Sequence, residues 1–221
     1  MLTSDTAKNP IVLSYLALRK AVGAVAFSLP FVLAIPWAIL HHEIRSSISG
    51  YYYTGMRDIF VGSLCAIAMF MLCCRGYDQK DEIAGLVSSF FALGVAFFPT
   101  APSQNITQHQ REIAIVHYAF AALLFLTLAY FCLVLFRMTA KNREVTPRKV
   151  TRNRVYKYCG LAIVLSICLI ILFKMLAVKY LFGHVGSVFC FESTALFAFG
   201  IAWLTKGETF LKDESKQIEK S

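Results

Sequence analysis

Residues 158–177 read YCGLAIVLSICLIILFKMLA, an apolar run whose only charged residue is Lys174. A bilayer core about 30 Å thick is crossed by a helix of about 20 apolar residues. Lys174 lies near one end of the run, where a long side chain can extend to the lipid headgroups. The run therefore predicts a transmembrane helix.

The rest of the chain contains further apolar segments of the same kind. Six spans are predicted at about 21–41, 58–74, 83–99, 113–137, 158–177 and 186–205. The chain is 57% hydrophobic and 16% charged, with a mean hydropathy of +0.60, which excludes an ordinary soluble domain. Because the segments are continuous rather than alternating, we predict an all-α, six-helix transmembrane bundle. Residues 1–221 form a single multi-pass domain in this interpretation.

The basic residues are distributed unevenly between the two sides of these spans. Five of the 22 Lys and Arg residues fall on one side: Arg45, Arg57, Arg111, Lys174 and Lys179. The other side is predicted to be cytoplasmic, because Lys and Arg near span ends resist translocation. It comprises the N terminus (1–20), a basic loop (138–157) and the tail (206–221). The topology is N-in and C-in, in the plasma or inner membrane of a bacterium or an endomembrane of a eukaryote.

The first span has an ambiguous beginning. Asn9-Pro10 is a helix-start signal. Residues 11–20 then form either a short interfacial helix or the lower part of a long first helix. Pro30 and Pro36 are expected to bend or loosen that helix.

The net charge of +9 arises largely from the basic loop. Basic residues near a membrane surface attract anionic lipid headgroups at about 1 kcal/mol each. We therefore expect membrane lipids as partners, with anionic headgroups at this loop. A protein-docking role is the alternative; a nucleic-acid partner is not expected, because no basic motif is interleaved with aromatic residues.

The first outer loop is dense in hydroxyl groups, rings and charges. Tyrosines at a membrane boundary commonly form an interfacial belt, and an Arg-Asp pair commonly forms an ion pair or helix cap. The functional alternative is a pocket in which an arginine holds an anionic headgroup and tyrosine hydroxyls orient it. The candidate residues in this loop are Ser49, Tyr51, Tyr52, Tyr53, Arg57 and Asp58.

Two ionisable residues lie within the outer parts of predicted spans. His117 is about one turn into the fourth span, and Glu192 is about six residues into the last. A carboxyl group at that depth must be paired, protonated or wetted, so Glu192 should face the bundle interior. His117 is its expected partner, with His184, Arg57 and the tyrosines as competitors. The pair either joins two helices or forms part of a ligand pocket.

The sequence gives no signal for a bound metal or cofactor. Neither HExxH nor CxxC occurs, and His41 and His42 are adjacent and point to different faces of a helix. None of the seven cysteines lies in an outer loop, so no disulfide framework is expected. Asn105 begins a glycosylation sequon that matters only in a secretory-pathway host.

Three functions fit these residues. The first is binding of a lipid headgroup or small ligand in an outward-facing polar pocket between helices. The second is an intramembrane lipid hydrolase or acyltransferase that uses Ser, His and Glu, although no GxSxG motif is present. The third is a small proton-coupled transporter with Glu192 as the titrating group.

Three features together resemble the six-span superfamily of DRAM, Sfk and the GPI-lipid remodelling proteins. They are Ser47-Ile-Ser49 ahead of Arg57-Asp58, Val116-His117 with Ala121 and Phe125, and Glu192 followed by Leu204-Thr205. The resemblance implies a six-span fold and a role in membrane-lipid regulation and trafficking, without an agreed catalytic mechanism. The chain has Ser-Ile-Ser-Gly-Tyr where that family has Ser-Asp-x-Gly.

Overall fold

A computed structural model describes residues 10–73, 79–139, 146–178, 180–182 and 185–211. Its α-helices are α1 (Pro10–His41), α2 (Arg57–Cys73), α3 (Gln79–Phe97), α4 (Gln108–Leu133), α5 (Pro147–Met175) and α6 (Ser187–Lys206). Two 3-10 helices occupy Ser49–Tyr53 and Leu135–Arg137. Strands β1 (Tyr180–Phe182) and β2 (Val185–Gly186) form a short antiparallel hairpin before α6. The predicted helical architecture is confirmed, with this hairpin as an addition.

The helices form a closed ring in chain order. Each packs against its neighbours along the chain, and α6 closes the ring by packing against α1 while also touching α4. The two backbones meet where α1 crosses α6. A Cβ on Gly23 would lie 2.8 Å from the backbone nitrogen of Leu204, and one on Gly200 would lie 2.8 Å from the Gly23 carbonyl oxygen. Small residues at such a crossing let transmembrane helices approach closely.

The ring has two chemically different ends. At the polar end, α1, α3 and α5 finish and α2, α4 and α6 begin. At the basic end, the opposite termini meet, and an aromatic cluster that includes Phe131, Phe136 and Trp203 fills the interior. The outward surface is apolar, as at Phe90 and Leu165, which are about 60% exposed (61% and 59%). Such a surface suits contact with lipid rather than water.

Within the described residues, four helices are long and apolar enough to cross a membrane. They are α1 over Tyr15–His41, α4 with its following 3-10 helix over Gln108–Arg137, α5, and α6. The chain is therefore a membrane protein by the length and composition of its helices. Helix α2 has only 17 residues, and the first turn of α3 contains Asp81 and Glu82. Neither α2 nor α3 is among these four helices, so length and hydropathy do not show that this pair crosses the membrane.

Helices α1 and α5 each begin about three turns before the predicted span. Helix α1 starts at Pro10 and passes through Pro30 and Pro36 without ending, so residues 11–20 are its lower part. Helix α5 starts at Pro147, because Thr146 accepts a capping hydrogen bond from the Lys149 amide. The basic loop predicted at 138–157 is correspondingly shorter, and its residues 140–145 lie outside the described residues. Hydropathy misses this start because the first turns of α5 are charged.

Candidate functional site

The loop between α1 and α2, residues 42–56, is folded onto the beginning of α6. We call it the first polar loop. The Ser46 carbonyl accepts a hydrogen bond of 2.9 Å from the Phe189 amide. A Cβ on Gly186 would lie 2.5 Å from the Ser46 Cα and carbonyl oxygen. Only glycine therefore lets the chain before α6 lie against this loop.

Glu192 anchors the same loop from within the ring. Its Oε2 accepts a hydrogen bond of 2.6 Å from the Ile48 amide. The Ser49 amide also interacts with this carboxyl group. Ile48 precedes the 3-10 helix Ser49–Tyr53 and provides no side-chain cap of its own. A carboxyl group on α6 therefore satisfies amide donors at the start of that helix, the groups that a short helix leaves without internal partners.

The tyrosines of the first polar loop hold it against neighbouring segments. Tyr51 is fully buried, and its hydroxyl accepts a hydrogen bond of 3.4 Å from the Arg45 amide. The Tyr53 hydroxyl donates to the Thr100 carbonyl at 2.7 Å. Burial raises the pKa of Tyr51 and of Tyr53, so both phenols keep their protons at neutral pH.

His117 joins α4 to the end of α3. Its side chain is buried, and Nδ1 lies 2.6 Å from the Phe98 carbonyl oxygen. Because a carbonyl oxygen only accepts hydrogen bonds, Nδ1 must carry a proton. In the neutral ring, Nε2 is then an acceptor.

A small cavity lies at the centre of the ring. It has a volume of about 40 Å³ and is lined by Ser49, Glu192 and apolar side chains such as Leu29, Phe60 and Leu124. A buried water needs about 10–15 Å³ by this measure, so the cavity accommodates a few waters. It is too small for a lipid headgroup. A water in this cavity could hydrate the Glu192 carboxyl group.

A larger groove opens at the polar end between α2 and α3. We call it the polar-end groove; its volume is about 370 Å³. Its lining residues are Tyr52, Arg57, Asp58, Val61, Gly62, Ala96 and Phe97. The charged members lie at the start of α2, and the apolar ones lie deeper along the helices. A Cβ on Gly62 would meet no atom within 4 Å, so the groove is open beside this residue.

The Arg57 side chain is held in place at the mouth of the groove. Its guanidinium donates to the Tyr52 hydroxyl at 2.7 Å and lies 4.3 Å from the Tyr52 ring centroid. A single hydrogen bond leaves most of the N–H donors of the guanidinium for a ligand. Within the described residues, the only ion pair joins Arg45 to Glu43, so Arg57 and Asp58 do not form the expected pair.

The predicted site residues are thus divided between separate places. Ser49 and Glu192 line the central cavity, whereas Tyr52, Arg57 and Asp58 line the polar-end groove. His184 lies outside the described residues.

The expected pair of Glu192 with His117 is not formed. In the described part of the chain, no side-chain hydrogen bond joins Ser49, His117 and Glu192 to one another. Each of the two ionisable residues has a backbone partner instead, Ile48 for Glu192 and Phe98 for His117. Tyr51 and Tyr53 contribute to loop packing and do not line the groove.

Lys174 is a polar-end residue whose contacts the sequence does not reveal. Its Nζ lies 3.8 Å from the ring centroid of Tyr118, whose hydroxyl accepts a hydrogen bond from Thr100. The ammonium charge also acts on both His117 and Glu192. The sequence feature that could have predicted this contact is the position of Lys174 near the outer end of the fifth span, at a depth similar to that of Tyr118 in the fourth.

Metal binding has no support in the described ranges, which contain no group of three or more His, Cys, Asp or Glu residues placed to hold an ion. No protein-family model matches the chain, and no curated protein or solved structure matches it either.

Proposed function

We propose that this protein spans the membrane six times, N-in and C-in, and binds a phospholipid headgroup in the polar-end groove. The observation that carries the proposal is that one groove has charged residues at its mouth and an apolar wall along its depth. Its volume of about 370 Å³ is in the range of small-molecule sites, about 300–1,000 Å³. An amphipathic ligand at a membrane boundary has the same division of polar and apolar parts.

The mouth of the groove favours a zwitterionic headgroup. Arg57 is exposed, is preoriented by Tyr52 and has free donors for phosphate oxygens. Asp58 is exposed beside it and offers a carboxylate to an amine. A headgroup with a phosphate and an ammonium group, such as that of phosphatidylethanolamine, complements both charges.

The deeper part of the groove suits an acyl chain. Ala96 is buried and forms its floor, while Phe97 is 62% exposed and forms part of its outer wall. The absence of a side chain on Gly62 leaves room between Val61 and Phe97. An acyl chain in this space would exchange contacts with bulk lipid for similar apolar contacts with the protein. The headgroup contacts would therefore determine which lipid binds.

The ring geometry supports six crossings. At 1.5 Å per residue, the 17 residues of α2 and 19 of α3 span about 25–29 Å, close to a hydrocarbon core of about 30 Å. The pair packs as a hairpin inside the ring, between α1 and α4. Because α1 and α4 are long enough to cross by themselves, the hairpin lies at the same depth as membrane-crossing helices.

The other functions predicted from the sequence remain open. Glu192 at the central cavity is compatible with a proton-coupled carrier. A hydrolase would use Ser47, Ser49 or Ser193 with His117 and an acid such as Glu192. The cavity beside Ser49 and Glu192 has a volume of only about 40 Å³. The proposal includes a role in membrane-lipid regulation, which the resemblance to the DRAM and Sfk superfamily implies. It also includes attraction of anionic lipids to the basic loop.

The proposal is tested by measuring which lipid the purified protein retains. Native mass spectrometry compares the wild type with Gly62→Leu, which fills the groove, after equilibration with equal amounts of phosphatidylethanolamine and phosphatidylglycerol. Gly55→Leu is the matched control, because a Cβ at Gly55 also meets nothing within 4 Å but Gly55 does not line the groove. We expect bound phosphatidylethanolamine in the wild type and in Gly55→Leu, and at least a tenfold lower occupancy in Gly62→Leu.

Charge variants test the assignment of the headgroup. Arg57→Gln should reduce retention of both lipids, whereas Asp58→Asn should remove the preference for phosphatidylethanolamine without reducing total retention. Equal lipid retention in the wild type, Gly62→Leu and Arg57→Gln would rule out binding in this groove.

A further inference from the structure

Tyr52 and Tyr53 are neighbours in the 3-10 helix Ser49–Tyr53, but their side chains have different surroundings. Tyr52 lines the polar-end groove, whereas Tyr53 does not. Their rings pack edge to face, with the centroids 5.3 Å apart and the planes at 75°. Edge-to-face contact is a favoured arrangement of aromatic rings. The Tyr53 ring is therefore placed to hold the Tyr52 ring in one orientation.

The hydroxyl group of Tyr53 fixes its own ring. Tyr53 is 39% exposed, so burial alone leaves the side chain room to change rotamer. Its hydroxyl donates to the Thr100 carbonyl at 2.7 Å, a short hydrogen bond to the segment between α3 and α4. This bond holds the ring in the position from which it contacts Tyr52.

The acceptor side of this bond is connected to two helices. Thr100 is buried, and its hydroxyl donates to the Tyr118 hydroxyl of α4 at 3.2 Å. The Tyr118 ring in turn contacts the Lys174 ammonium group of α5, whose Nζ lies 3.8 Å from the ring centroid. Tyr53 is therefore bonded to a segment that packs against the bundle.

The Tyr52 side chain determines where the Arg57 guanidinium group lies. The Tyr52 hydroxyl accepts a hydrogen bond of 2.7 Å from this group, which also lies 4.3 Å from the Tyr52 ring centroid. Arg57 is exposed, and among the described residues it forms no ion pair. A long, exposed side chain with these contacts follows the ring that holds it. We propose that Tyr53 is a positioning residue of the polar-end groove, because it fixes the Tyr52 ring, which orients Arg57.

This role rests on the proposed lipid site for its function, since Arg57 is the group assigned to the phosphate. Arginine binds phosphate through a planar set of donors, so the orientation of the guanidinium group matters as well as its charge. Removal of the Tyr53 hydroxyl keeps the charge of Arg57 and changes only its orientation. Tyr53→Phe should therefore weaken lipid retention, but less than Arg57→Gln does.

The reactivity of Arg57 in lipid-free, detergent-purified protein measures its positioning directly. Phenylglyoxal modifies guanidinium groups, and peptide mass spectrometry gives the rate at each arginine. Arg57 should react about threefold faster or more in Tyr53→Phe than in the wild type, because its hydrogen bond is weakened. The rate should be at least as high in Tyr52→Phe, which removes the acceptor itself. Arg111, exposed on α4, is the internal reference.

Tyr51→Phe is the matched control, because it removes another hydroxyl group from the same 3-10 helix. The Tyr51 hydroxyl accepts from the Arg45 amide at 3.4 Å, and the Tyr51 ring packs against Phe189. The Arg57 rate should therefore be unchanged in this variant. Equal Arg57 rates in the wild type and Tyr53→Phe would overturn the positioning role. An equal rise in Tyr51→Phe and Tyr53→Phe would also overturn it, since it would show general loosening of the loop.

Lipid retention in the same variants separates this inference from the proposed function. Native mass spectrometry with equal amounts of phosphatidylethanolamine and phosphatidylglycerol should show about threefold lower retention in Tyr53→Phe and wild-type retention in Tyr51→Phe. A faster Arg57 rate in Tyr53→Phe, with no lipid in the wild type, would support the positioning and reject the lipid site. Lipid in the wild type with an unchanged Arg57 rate would reject the positioning alone. A faster rate with undiminished retention in Tyr53→Phe would overturn the role of Tyr53 at the groove.

Discussion

The Glu192 carboxyl group accepts a hydrogen bond of 2.6 Å from the backbone amide of Ile48. The bond joins α6 to the first polar loop across 144 positions of sequence. Together with the bond from the Phe189 amide to the Ser46 carbonyl, it fixes this loop over the central cavity. The same loop carries Tyr52, whose hydroxyl accepts the hydrogen bond from Arg57 at the mouth of the groove. Glu192 itself does not line the groove.

The first prediction concerns this bond. Glu192→Leu removes the acceptor and leaves a buried amide unsatisfied, which should lower the free energy of unfolding by about 1–3 kcal/mol. Glu192→Gln keeps an acceptor oxygen and should retain more than half of the stability that the leucine variant loses. Unfolding is measured in detergent by circular dichroism. Thr194→Val is the control on the exposed face of α6. A leucine variant as stable as the wild type would show that the bond has no structural role.

The second prediction concerns His117. Its Nδ1 proton is donated to the Phe98 carbonyl at 2.6 Å, so His117→Leu leaves that carbonyl without its side-chain donor. We expect a loss of about 1–2 kcal/mol in unfolding free energy, because this carbonyl then loses its side-chain donor. His117→Asn has an amide donor close to the position of Nδ1 and should be less destabilising. Equal stability of the leucine and asparagine variants would contradict the assigned proton.

The third prediction compares two glycines in different surroundings. Gly23→Val places a side chain against the backbone of α6, where the Leu204 nitrogen lies 2.8 Å from the new Cβ, and neither helix can yield by a rotamer change. Overpacking of this kind costs about 1–3 kcal/mol. Gly62→Ala meets no neighbour and should stabilise α2 by up to about 1 kcal/mol, because alanine loses less backbone entropy. A reversed order of stability would contradict the α1–α6 crossing.

The helices could be predicted from the sequence because their apolar runs are continuous. Helices α2, α3 and α6 begin and end within about one turn of the predicted spans. The start of α5 at Pro147 was missed because its first turns are charged, and a hydropathy pattern cannot distinguish a charged helix from a loop. The Thr146-Pro147 pair is the signal that marks this start.

The site was only partly predictable for a different reason. Glu192 and His117 were recognised as polar residues within the spans, but their partners are backbone groups of Ile48 and Phe98, which a side-chain pattern does not indicate. Which backbone group each side chain binds therefore depends on how the loops pack, and this cannot be predicted from the amino-acid composition. The groove depends in the same way on the relative positions of α2 and α3. Its one local signal is Gly62, which leaves space on an otherwise apolar helix.

The last prediction concerns the six crossings. Single cysteines are introduced into a background without the native ones at Ser103, Lys80 and Thr139, which are exposed. With six spans, a membrane-impermeant reagent applied outside should label Ser103→Cys alone, and permeabilised cells should allow labelling at Lys80→Cys and Thr139→Cys. Lys80 is decisive, because it lies at the start of α3, beyond the proposed crossing of α2. If α2 and α3 stay on the outer side, Lys80→Cys is labelled from outside together with Ser103→Cys, and the chain has four spans. Labelling of Ser103→Cys and Thr139→Cys from the same side would instead show that α4 does not cross.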